Sequence, residues 1–597
     1  MCGIVGLLNF KDTRENVNKN TLAMMDLIKH RGPNDSGLYR DSFFPFSMGM
    51  TRLSIMDIEN GSQPVASNDN RYQFIFNGEI VNSLDLKKYL VQKYKINFNS
   101  KTSDTEVAFN LLVTEGIESI NKLNGMFALC LYDSKKKIIS VARDRSGIKP
   151  LYYVLKDNFF SFSSEIKPLI FNQEVSKNIN FQSLYHYTSL MYVPGPNTIF
   201  DEIKKIEPGT ILKFQIENNH VEFRKFHAIS FGSWQKRKQS DLNNEIYSIF
   251  NDSINRWSQS DVSISCSLSG GIDSTSIAYC MNQNGNNFIN YTLGFSNSDF
   301  KSIDESETAI ITSQNLNKHF EKVSYDNETL FEDINDCVKS LEQPYAGGLP
   351  SWPLYKKIKE KNKVVMVGTG GDELFGNYGK WKRLFLVSKF LPINKNLFKK
   401  YYFNLFYYCK DEDKKELFNF NLNKFQPTSD YLFRIYNDSE FKNPIDQIAN
   451  LDFKTQLTDE FLFMTDKFSM AHSVEARPVY LDNELIEYLS NTHYSQRTNI
   501  FDIKRLQKDA LKKYIPTEIM NKNKQGFVLP IDKWSKENHL DYLLSFFDKK
   551  KLKKQGIFNE NLIESLINPL LYSNARFEKI WGLFMFQMWY SNFIDSL

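Results

Sequence analysis

The stretch Ser267–Thr275, with the sequence SLSGGIDST, is the most informative part of the chain about its architecture. It ends an apolar run, Val262–Leu268, and opens a helix-like segment, Asp273–Asn282. The backbone N–H groups of a glycine-rich turn between a strand and a helix point at anions, and the helix dipole favours negative charge there. The sequence therefore predicts a phosphate-binding loop. It is not the GxxxxGK[ST] loop, which does not occur in the chain.

Strands and helices alternate around this loop. Phe288–Phe295 and Lys363–Val367 are predicted strands, and Glu305–Asn317 and Pro353–Lys361 are predicted helices. Such alternation predicts an α/β domain with a parallel sheet covered by helices on both faces. A second glycine-rich segment, Gly368–Gly376 with the sequence GTGGDELFG, follows the last of these strands. Ligands bind at the carboxyl ends of parallel strands, so both segments are expected at one site.

Residues 1–200 have a different pattern, in which Gly, Asn and Asp turns separate short apolar runs. With two predicted helices, Thr21–His30 and Asp104–Glu115, this predicts an α+β domain with stacked sheets. The polar residues 201–245 are predicted to connect it to the α/β domain, residues 246–530, and a helical extension, residues 531–597, is expected to follow. The predicted strands of the first domain are Gly3–Phe10, Tyr72–Phe76, Gly125–Asp133, Ile138–Ala142 and Phe159–Ser163.

The composition is that of an ordinary globular protein. The chain has 597 residues, 41% of them apolar and 24% charged, which predicts about two to four domains. A net charge of +4 is too small for so long a chain to indicate nucleic acid or an anionic membrane as a partner. Apolar runs such as Met126–Tyr132 are far shorter than the ~20 residues that a membrane span needs. Six widely spaced cysteines exclude a zinc ribbon or a disulfide framework and fit a reducing cytosol, so a soluble cytoplasmic protein is expected.

The second residue, Cys2, is a candidate nucleophile. Removal of Met1 is expected to leave Cys2 with an α-amine, whose pKa of about 8 suits a base for the thiol. Asn77 and Gly78 can donate N–H groups to an oxyanion, and Arg52 can bind a carboxylate in bidentate fashion. Taken alone, a cysteine at this position is more often incidental, and Asn-Gly is also the strongest signal for a hairpin turn.

Five motifs, in this order, resemble the glutaminase domain of class II glutamine amidotransferases, which are N-terminal-nucleophile hydrolases with a four-layer αββα fold. The resemblance implies that Cys2 attacks the side-chain amide of glutamine, with its own α-amine as base, and that Asn77 and Gly78 stabilise the tetrahedral intermediate. The motifs are CGIVG at Cys2–Gly6, HRGP at His30–Pro33, RLSI at Arg52–Ile55, NGEI at Asn77–Ile80 and RDRSGIKP at Arg143–Pro150. The residues implied to bind glutamine are Arg52, Leu53, Ser54, Ile55, Asn77, Gly78, Glu79 and Asp104.

The two glycine-rich segments resemble the synthetase domain of glutamine-hydrolysing asparagine synthetases, in which ATP adenylates a carboxylate and ammonia displaces AMP. Met470–Arg477, Leu481-Asp482, Lys504 and Lys524-Gln525 extend the match, which covers about residues 1–530. This family also has an internal channel that carries ammonia between its two sites. The resemblance assigns ATP binding to Leu268, Ser269, Gly270, Gly271, Asp273, Ser274, Leu293, Val367 and Gly368.

The resemblance also implies roles for single residues of the synthetase half. Asp273 and Asp372 can hold Mg²⁺ together with phosphate oxygens, although either one alone is typical of a helix N-cap. Lys504 is expected to neutralise the developing pyrophosphate. Thr369 and Arg477 are expected to contact the acceptor or the acyl-adenylate.

The acceptor pocket departs from the family pattern. Thr369 stands where asparagine synthetases usually carry Glu, and Glu342-Gln343 replaces a more acidic pair. Aspartate is the default acceptor, and the carboxylate of a uronic acid is the alternative, because a fold does not determine its substrate. A non-catalytic sensor is disfavoured, since it has no need of Cys2. The expected partners are therefore glutamine, ATP and a carboxylate, with Mg²⁺ as cofactor, and a homodimer is among the assemblies left open.

Overall fold

The computed structural model describes residues 2–295, 304, 306–520, 539–572 and 577–595. The motif Lys524-Gln525 lies outside these residues. The amino-terminal domain contains two antiparallel six-stranded sheets, ordered β10-β8-β9-β1-β3-β2 and β12-β11-β7-β6-β5-β4. Its strands are β1 Cys2–Asn9, β2 Asp35–Arg40, β3 Phe46–Arg52, β4 Val65–Ala66, β5 Tyr72–Ile80, β6 Gly125–Asp133, β7 Ile138–Arg143, β8 Tyr152–Lys156, β9 Phe159–Ser163, β10 Lys204–Lys205, β11 Thr210–Gln215 and β12 His220–Lys225.

Alternating side chains on β1 hold two layers together. Ile4 and Leu8 pack in the apolar core between the two sheets, whereas Val5 and Leu7 pack with Met24 of α1. Helices α2 and α3 cover the outer face of the second sheet. The domain therefore has four layers in the order αββα, and the predicted fold class is confirmed. Its helices are α1 Arg14–Leu27, α2 Ser83–Tyr94, α3 Asp104–Glu115, α4 Lys167–Ile170 and α5 Phe181–Leu190.

The interpretation of residues 201–245 as a connecting segment is wrong over most of its length. Strand β11 pairs along its whole length with β7, in the register Thr210↔Arg143 to Gln215↔Ile138. Strand β12 pairs with β11 and forms the edge of the sheet. Its side chains are mostly exposed, so it lacks the apolar pattern that marks a buried strand. The amino-terminal domain therefore continues to Lys225.

The second domain has a five-stranded sheet in the order β15-β14-β13-β16-β17, and every neighbouring pair is parallel. This confirms the predicted α/β architecture. Because β13 and β16 are neighbours, the glycine-rich segments that follow them lie side by side at the carboxyl edge. The strands are β13 Ile264–Ser267, β14 Phe288–Phe295, β15 Phe320–Tyr325, β16 Val364–Val367 and β17 Glu475–Pro478.

Helices cover both faces of this sheet and form most of the rest of the chain. Those near the carboxyl end pack into the same core: Trp589 Nε1 donates to the carbonyl of Glu342 at 2.9 Å. The helices are α6 Gln239–Trp257, α7 Ile272–Gln283, α8 Ser306–Asn315, α9 Asn327–Leu341, α10 Ser351–Ile358, α11 Gly371–Phe375, α12 Lys382–Ser388, α13 Lys395–Phe398, α14 Asn404–Phe406, α15 Lys414–Leu417, α16 Thr428–Asn437, α17 Pro444–Asp452, α18 Leu462–Ala471, α19 Asn483–Ser490, α20 Tyr494–Arg497, α21 Arg505–Leu511, α22 Thr517–Met520, α23 Leu540–Ser545, α24 Lys549–Gln555, α25 Glu560–Tyr572 and α26 Phe577–Tyr590.

A buried cluster of charges joins the two domains. Arg31 donates to both carboxylate oxygens of Asp466 on α18, at 2.9 and 3.1 Å, and to Glu165 at 3.0 Å. The Arg31 side chain is 0% exposed. Burial opposes ionisation of Asp466, but Arg31 and Lys149 outweigh it and lower the pKa of that carboxyl. The pair is therefore ionised and held away from water.

Removal of the charge at this junction is expected to destabilise the fold. Asp466→Asn leaves Arg31 buried without its bidentate partner, so the free energy of unfolding should fall by ~3 kcal/mol. Urea unfolding followed by circular dichroism measures it. The matched control is Asp85→Asn, which removes an exposed partner of Lys88 at 3.4 Å and should cost at most ~0.5 kcal/mol. Equal losses in the two variants would contradict a stabilising role for the junction.

Candidate active sites

The first residue of β1, Cys2, lies at the edge of a pocket in the amino-terminal domain. Its backbone N–H donates to Asn77 Oδ1 at 3.0 Å, which leaves the amide nitrogen of Asn77 as a donor. The thiol is buried, and burial raises its pKa, while the charge of Arg52 acts in the opposite direction. The resting thiol is therefore protonated and needs a base before it can attack a carbonyl.

The pocket unites most of the residues predicted for glutamine binding. Ser54 and Asn77 are not among them. The N–H of Ser54 donates to Asn34 Oδ1 at 3.0 Å, and its carbonyl accepts from Lys363 at 3.4 Å. Asn77 is buried behind the pocket and contacts the backbone of Cys2. The predicted residues that line the pocket are Cys2, Arg52, Leu53, Ile55, Gly78, Glu79 and Asp104. The residues that sequence reasoning missed are Met56, Gly61, Gln63, Phe76, Ser103 and Thr105.

Most of the missed residues are uncharged and belong to no motif, so nothing in the sequence marks them. The pocket requires a residue without a side chain at Gly61, because a Cβ there would collide with the guanidinium of Arg52. Gln63 supports the wall, where its Oε1 accepts from the N–H of Phe76 at 2.7 Å. These residues shape the pocket around the charged groups.

Arg52 is the cation of the pocket. Its guanidinium donates to three carbonyls of the loop that follows β3, those of Met56 at 3.1 Å, Asp57 at 2.6 Å and Ile58 at 3.3 Å. Bonds to described residues thus use three of its five N–H donors. The loop orients the guanidinium and leaves donors for a carboxylate.

Two carboxylates form the acidic side of the pocket. Asp104 begins α3 and accepts from the N–H groups of Ile80 at 2.9 Å and Thr105 at 2.7 Å. Burial raises the pKa of Asp104 to about 6, although these two bonds oppose the shift. Glu79 is buried as well, and burial raises its pKa against the opposing charge of Arg477. The pocket thus has a cationic and an acidic side, as an α-amino acid requires.

Arg477, which was predicted to contact the acceptor, lies elsewhere. Its guanidinium is 0% exposed and reaches Glu475 at 2.5 Å and Glu79 at 3.2 Å. It also donates to the carbonyls of Trp257 at 2.7 Å and Gln259 at 2.6 Å. The structure therefore turns Arg477 toward the wall of the amino-terminal pocket. The predicted role of Arg477 as an acceptor contact is not supported, because its guanidinium is occupied by these partners. The pairing with Glu79 joins residues far apart in the sequence, so the sequence did not reveal it.

The first glycine-rich loop connects β13 to α7 as predicted. Gly270 has φ of +81°, a conformation that glycine adopts without strain. The Ser274 hydroxyl accepts from the N–H of Ser269 at 3.1 Å and closes the loop on the first turn of the helix. Leu268 is buried beneath it, and Gly271 is the residue directly before the helix. The loop is therefore held open at the positive end of a helix.

The second loop follows β16 and lies against the first. A Cβ at Gly371 would lie 2.7 Å from Asp273 Oδ1, so the absence of a side chain lets Asp273 approach this loop closely. Gly368 and Thr369 are half-buried in this loop, and Val367 is buried at the end of the strand. Leu293, on the neighbouring strand β14, is half-buried. The predicted ATP residues thus converge at the carboxyl edge of the sheet.

One lysine joins the two loops. Lys504 Nζ lies 2.5 Å from Asp273 Oδ2 and 2.7 Å from Asp372 Oδ1. Burial opposes its charge, but Asp273 and Asp372 raise the pKa of Lys504, so the group is an ammonium. Gln507 Nε2 donates to the other oxygen of Asp273 at 3.0 Å. The carboxylates of Asp273 and Asp372 therefore face the same point in space, which the ammonium of Lys504 occupies.

This donor set fits Mg²⁺ bound with the help of phosphate oxygens, because that ion favours few carboxylates. Within the described ranges, no group of three or more His, Cys, Asp or Glu side chains could hold a metal ion by itself.

None of the helices in the described part of the chain is long and apolar enough to cross a membrane.

Family models match both halves of the chain. Residues 1–227 match the glutamine amidotransferase domain, and residues 245–591 match the asparagine synthase family. The second match includes most of residues 531–597, which were predicted to be a separate extension.

Several curated relatives match over most of their length. Asparagine synthetase [glutamine-hydrolyzing] 1 of Bacillus subtilis (strain 168) is 28% identical, over 100% of this chain and 97% of its own. Asparagine synthetase [glutamine-hydrolyzing] 3 of the same organism is 26% identical, over 88% and 87%. Putative asparagine synthetase [glutamine-hydrolyzing] 2 of Methanocaldococcus jannaschii is 31% identical, over 63% of this chain and 76% of its own.

The position between the loops gives a test that needs no turnover. Lys504→Met removes the ammonium that faces Asp273 and Asp372, so the nucleotide-free protein should bind Mg²⁺ about tenfold more tightly by calorimetry. Lys508→Met is the matched control, since it removes an ammonium of α21, the helix that follows Lys504, and this ammonium pairs with Asp502 at 2.7 Å. Unchanged affinity in Lys504→Met would show that the two carboxylates do not form a cation site.

Proposed function

Because the chain belongs to the asparagine synthase family of glutamine-dependent amidotransferases, we propose that it converts aspartate to asparagine with nitrogen from glutamine and energy from ATP. ATP is cleaved to AMP and pyrophosphate. The observation that carries the proposal is that one chain holds both sites, the Cys2 pocket and the two loops that meet at Lys504. The curated relatives that span nearly the whole chain support aspartate as the acceptor.

In the first half-reaction, glutamine lies in the Cys2 pocket, with its α-carboxylate on Arg52 and its α-ammonium on Asp104 and Glu79. The nitrogen of Cys2, once freed as an α-amine, takes the thiol proton, and the thiolate attacks the side-chain amide. Asn77 and Gly78 donate to the oxyanion that forms. The C–N bond breaks and ammonia leaves with the proton; water then hydrolyses the thioester to glutamate.

In the second half-reaction, the aspartate β-carboxylate attacks the α-phosphorus of ATP and displaces pyrophosphate. Bound Mg²⁺, held by Asp273 and Asp372, would neutralise phosphate charge. The loop around Gly270 and the positive end of α7 hold the phosphates, and Lys504 moves from the carboxylates to the departing pyrophosphate. Ammonia then attacks the acyl carbon, AMP leaves, and asparagine forms.

The acceptor is the part of the proposal that departs from the family pattern. Thr369 offers a hydroxyl where relatives usually carry a carboxylate, so it can orient an acceptor by a hydrogen bond but cannot serve as a carboxylate base. A uronic acid is the alternative acceptor. The names of the relatives favour aspartate over it.

The direct test measures AMP release from ATP, Mg²⁺ and glutamine, with and without aspartate, and measures asparagine in the same reactions. Aspartate-dependent AMP with an equal amount of asparagine supports the proposal. Glutamate production without aspartate-dependent AMP would reject aspartate, and glucuronate and galacturonate would then be compared as acceptors.

The division between the two sites gives a prediction for Cys2→Ala. This variant should lose at least ~10³-fold of its glutamine-dependent asparagine formation, because the nucleophile is gone, and should keep the ammonia-dependent reaction. Cys130→Ala is the control, since it is a buried cysteine of the same domain outside the pocket. Loss of both reactions in Cys2→Ala alone would contradict separate sites.

Glutamine binding should depend on pH through Asp104. Its pKa of about 6 means that acid neutralises the carboxylate that faces the α-ammonium. In the Cys2→Ala background, which cannot turn over glutamine, the Kd for glutamine should rise up to about tenfold per pH unit below pH 6. Added Asp104→Asn should give weak binding with a flatter profile. A Kd that stays constant between about pH 5 and pH 8 would contradict this role.

A further inference from the structure

A large cleft between the two domains lies apart from the Cys2 pocket and the ATP loops. Its volume is about 350 Å³. One wall is the amino-terminal domain, around β7, β10 and the end of β12, and the other is the helical region around α16 and residues 453–459. The charged residues that line it are Arg143, Arg145, Lys205, Glu207, Lys225, Arg434, Asp438, Lys454 and Asp459.

The charges of the cleft do not balance. Each of its three carboxylates already has a lysine partner within the same cleft, so the carboxylates neutralise only the lysines. Among the described residues, the three arginines make no ion pair, and the cleft carries an excess of positive charge. The pairs are Glu207 with Lys225 at 3.7 Å, Asp438 with Lys454 at 3.5 Å and Asp459 with Lys205 at 2.9 Å.

Arg143 is a structural residue, because its guanidinium donates to the carbonyls of Lys149, Ile206 and Gly147 at 2.6–2.9 Å. Arg145 and Arg434 are therefore the cations that no carboxylate of the cleft pairs with, although one N–H of Arg145 donates to the carbonyl of Asn121. They approach it from the two opposite domains. An anion bound between these two walls would balance the positive charges of both arginines.

Two buried polar atoms at this end of the cleft, Ser146 Oγ and Arg145 Nε, lack a hydrogen-bond partner among the described residues. Ser146 is 2% exposed and lines the cleft, and its Oγ has no hydrogen-bond partner in the described part of the chain. The same holds for Arg145 Nε. Buried polar atoms are usually satisfied, so such a pair of donors marks a place for an acceptor. Burial, together with the charge of Arg145, lowers the pKa of the nearby His227 to about 4.

We propose that this cleft binds a phosphorylated small molecule. The phosphate accepts from Arg145 and Ser146 and pairs with Arg434, since guanidinium groups bind phosphate in bidentate fashion. The organic part lies against the apolar lining, which includes Tyr431, Phe453 and Ile229. The site is separate from both half-reactions, so it does not depend on the identity of the acceptor.

The test is calorimetric titration of the full chain with inorganic phosphate and, separately, with glucose 6-phosphate. Arg434→Gln/Lys454→Gln removes two exposed cations of the cleft, and Arg383→Gln/Lys389→Gln removes two exposed cations outside it. Binding at the ATP loops is common to all three proteins, so a difference between the double variants reports on the cleft. The cleft variant should bind about tenfold more weakly, or lose one site, and the control should match the unaltered chain.

Weakened binding of both probes supports a site that needs only the phosphate, and weakened binding of glucose 6-phosphate alone supports a site that also needs the organic part. Equal binding by the two double variants would overturn the proposal. Absence of any binding to the unaltered chain up to about 10 mM would also overturn it.

Discussion

The pairing of buried charges across the domain junction is the constraint on which the two sites depend. Arg31 is fully buried and has Asp466 and Glu165 as partners, and its Nε also donates to the carbonyl of Cys2 at 3.3 Å. Loss of one partner would leave a buried charge without compensation, at a cost of several kcal/mol, so each domain must keep its charge at this junction. The residue that carries the nucleophile is thereby held against helix α18 of the synthetase half.

A second junction, between Glu79 and Arg477, has a similar consequence. Glu79 lines the amino-terminal pocket, and Arg477 belongs to β17, the neighbour of the strand that ends at Val367. A wall of the glutamine pocket is thus built on the sheet that carries the ATP loops. Lys504 plays the corresponding part within the synthetase half, because it holds the two loops together through Asp273 and Asp372.

The sequence predicted those parts of the structure that neighbouring residues determine, such as strands, loops and helix starts. The loop Ser267–Thr275 is set by a strand, glycines and a helix start in succession, and the structure has it as expected. Strand β12 was missed because its exposed residues have no apolar alternation. The place of Arg477 was also missed, because a pairing with Glu79 across two domains leaves no periodic signal in the chain. Gly61 and Gln63 joined the pocket through tertiary packing alone.

The central claim is that nitrogen released at Cys2 enters the amide of asparagine within this one protein. The most direct measurement supplies glutamine labelled with ¹⁵N in its side-chain amide, together with ATP, Mg²⁺, aspartate and unlabelled ammonium, and follows the label by mass spectrometry. The account predicts asparagine that carries ¹⁵N in its amide in amounts equal to the AMP formed. Labelled ammonia without labelled asparagine would contradict it.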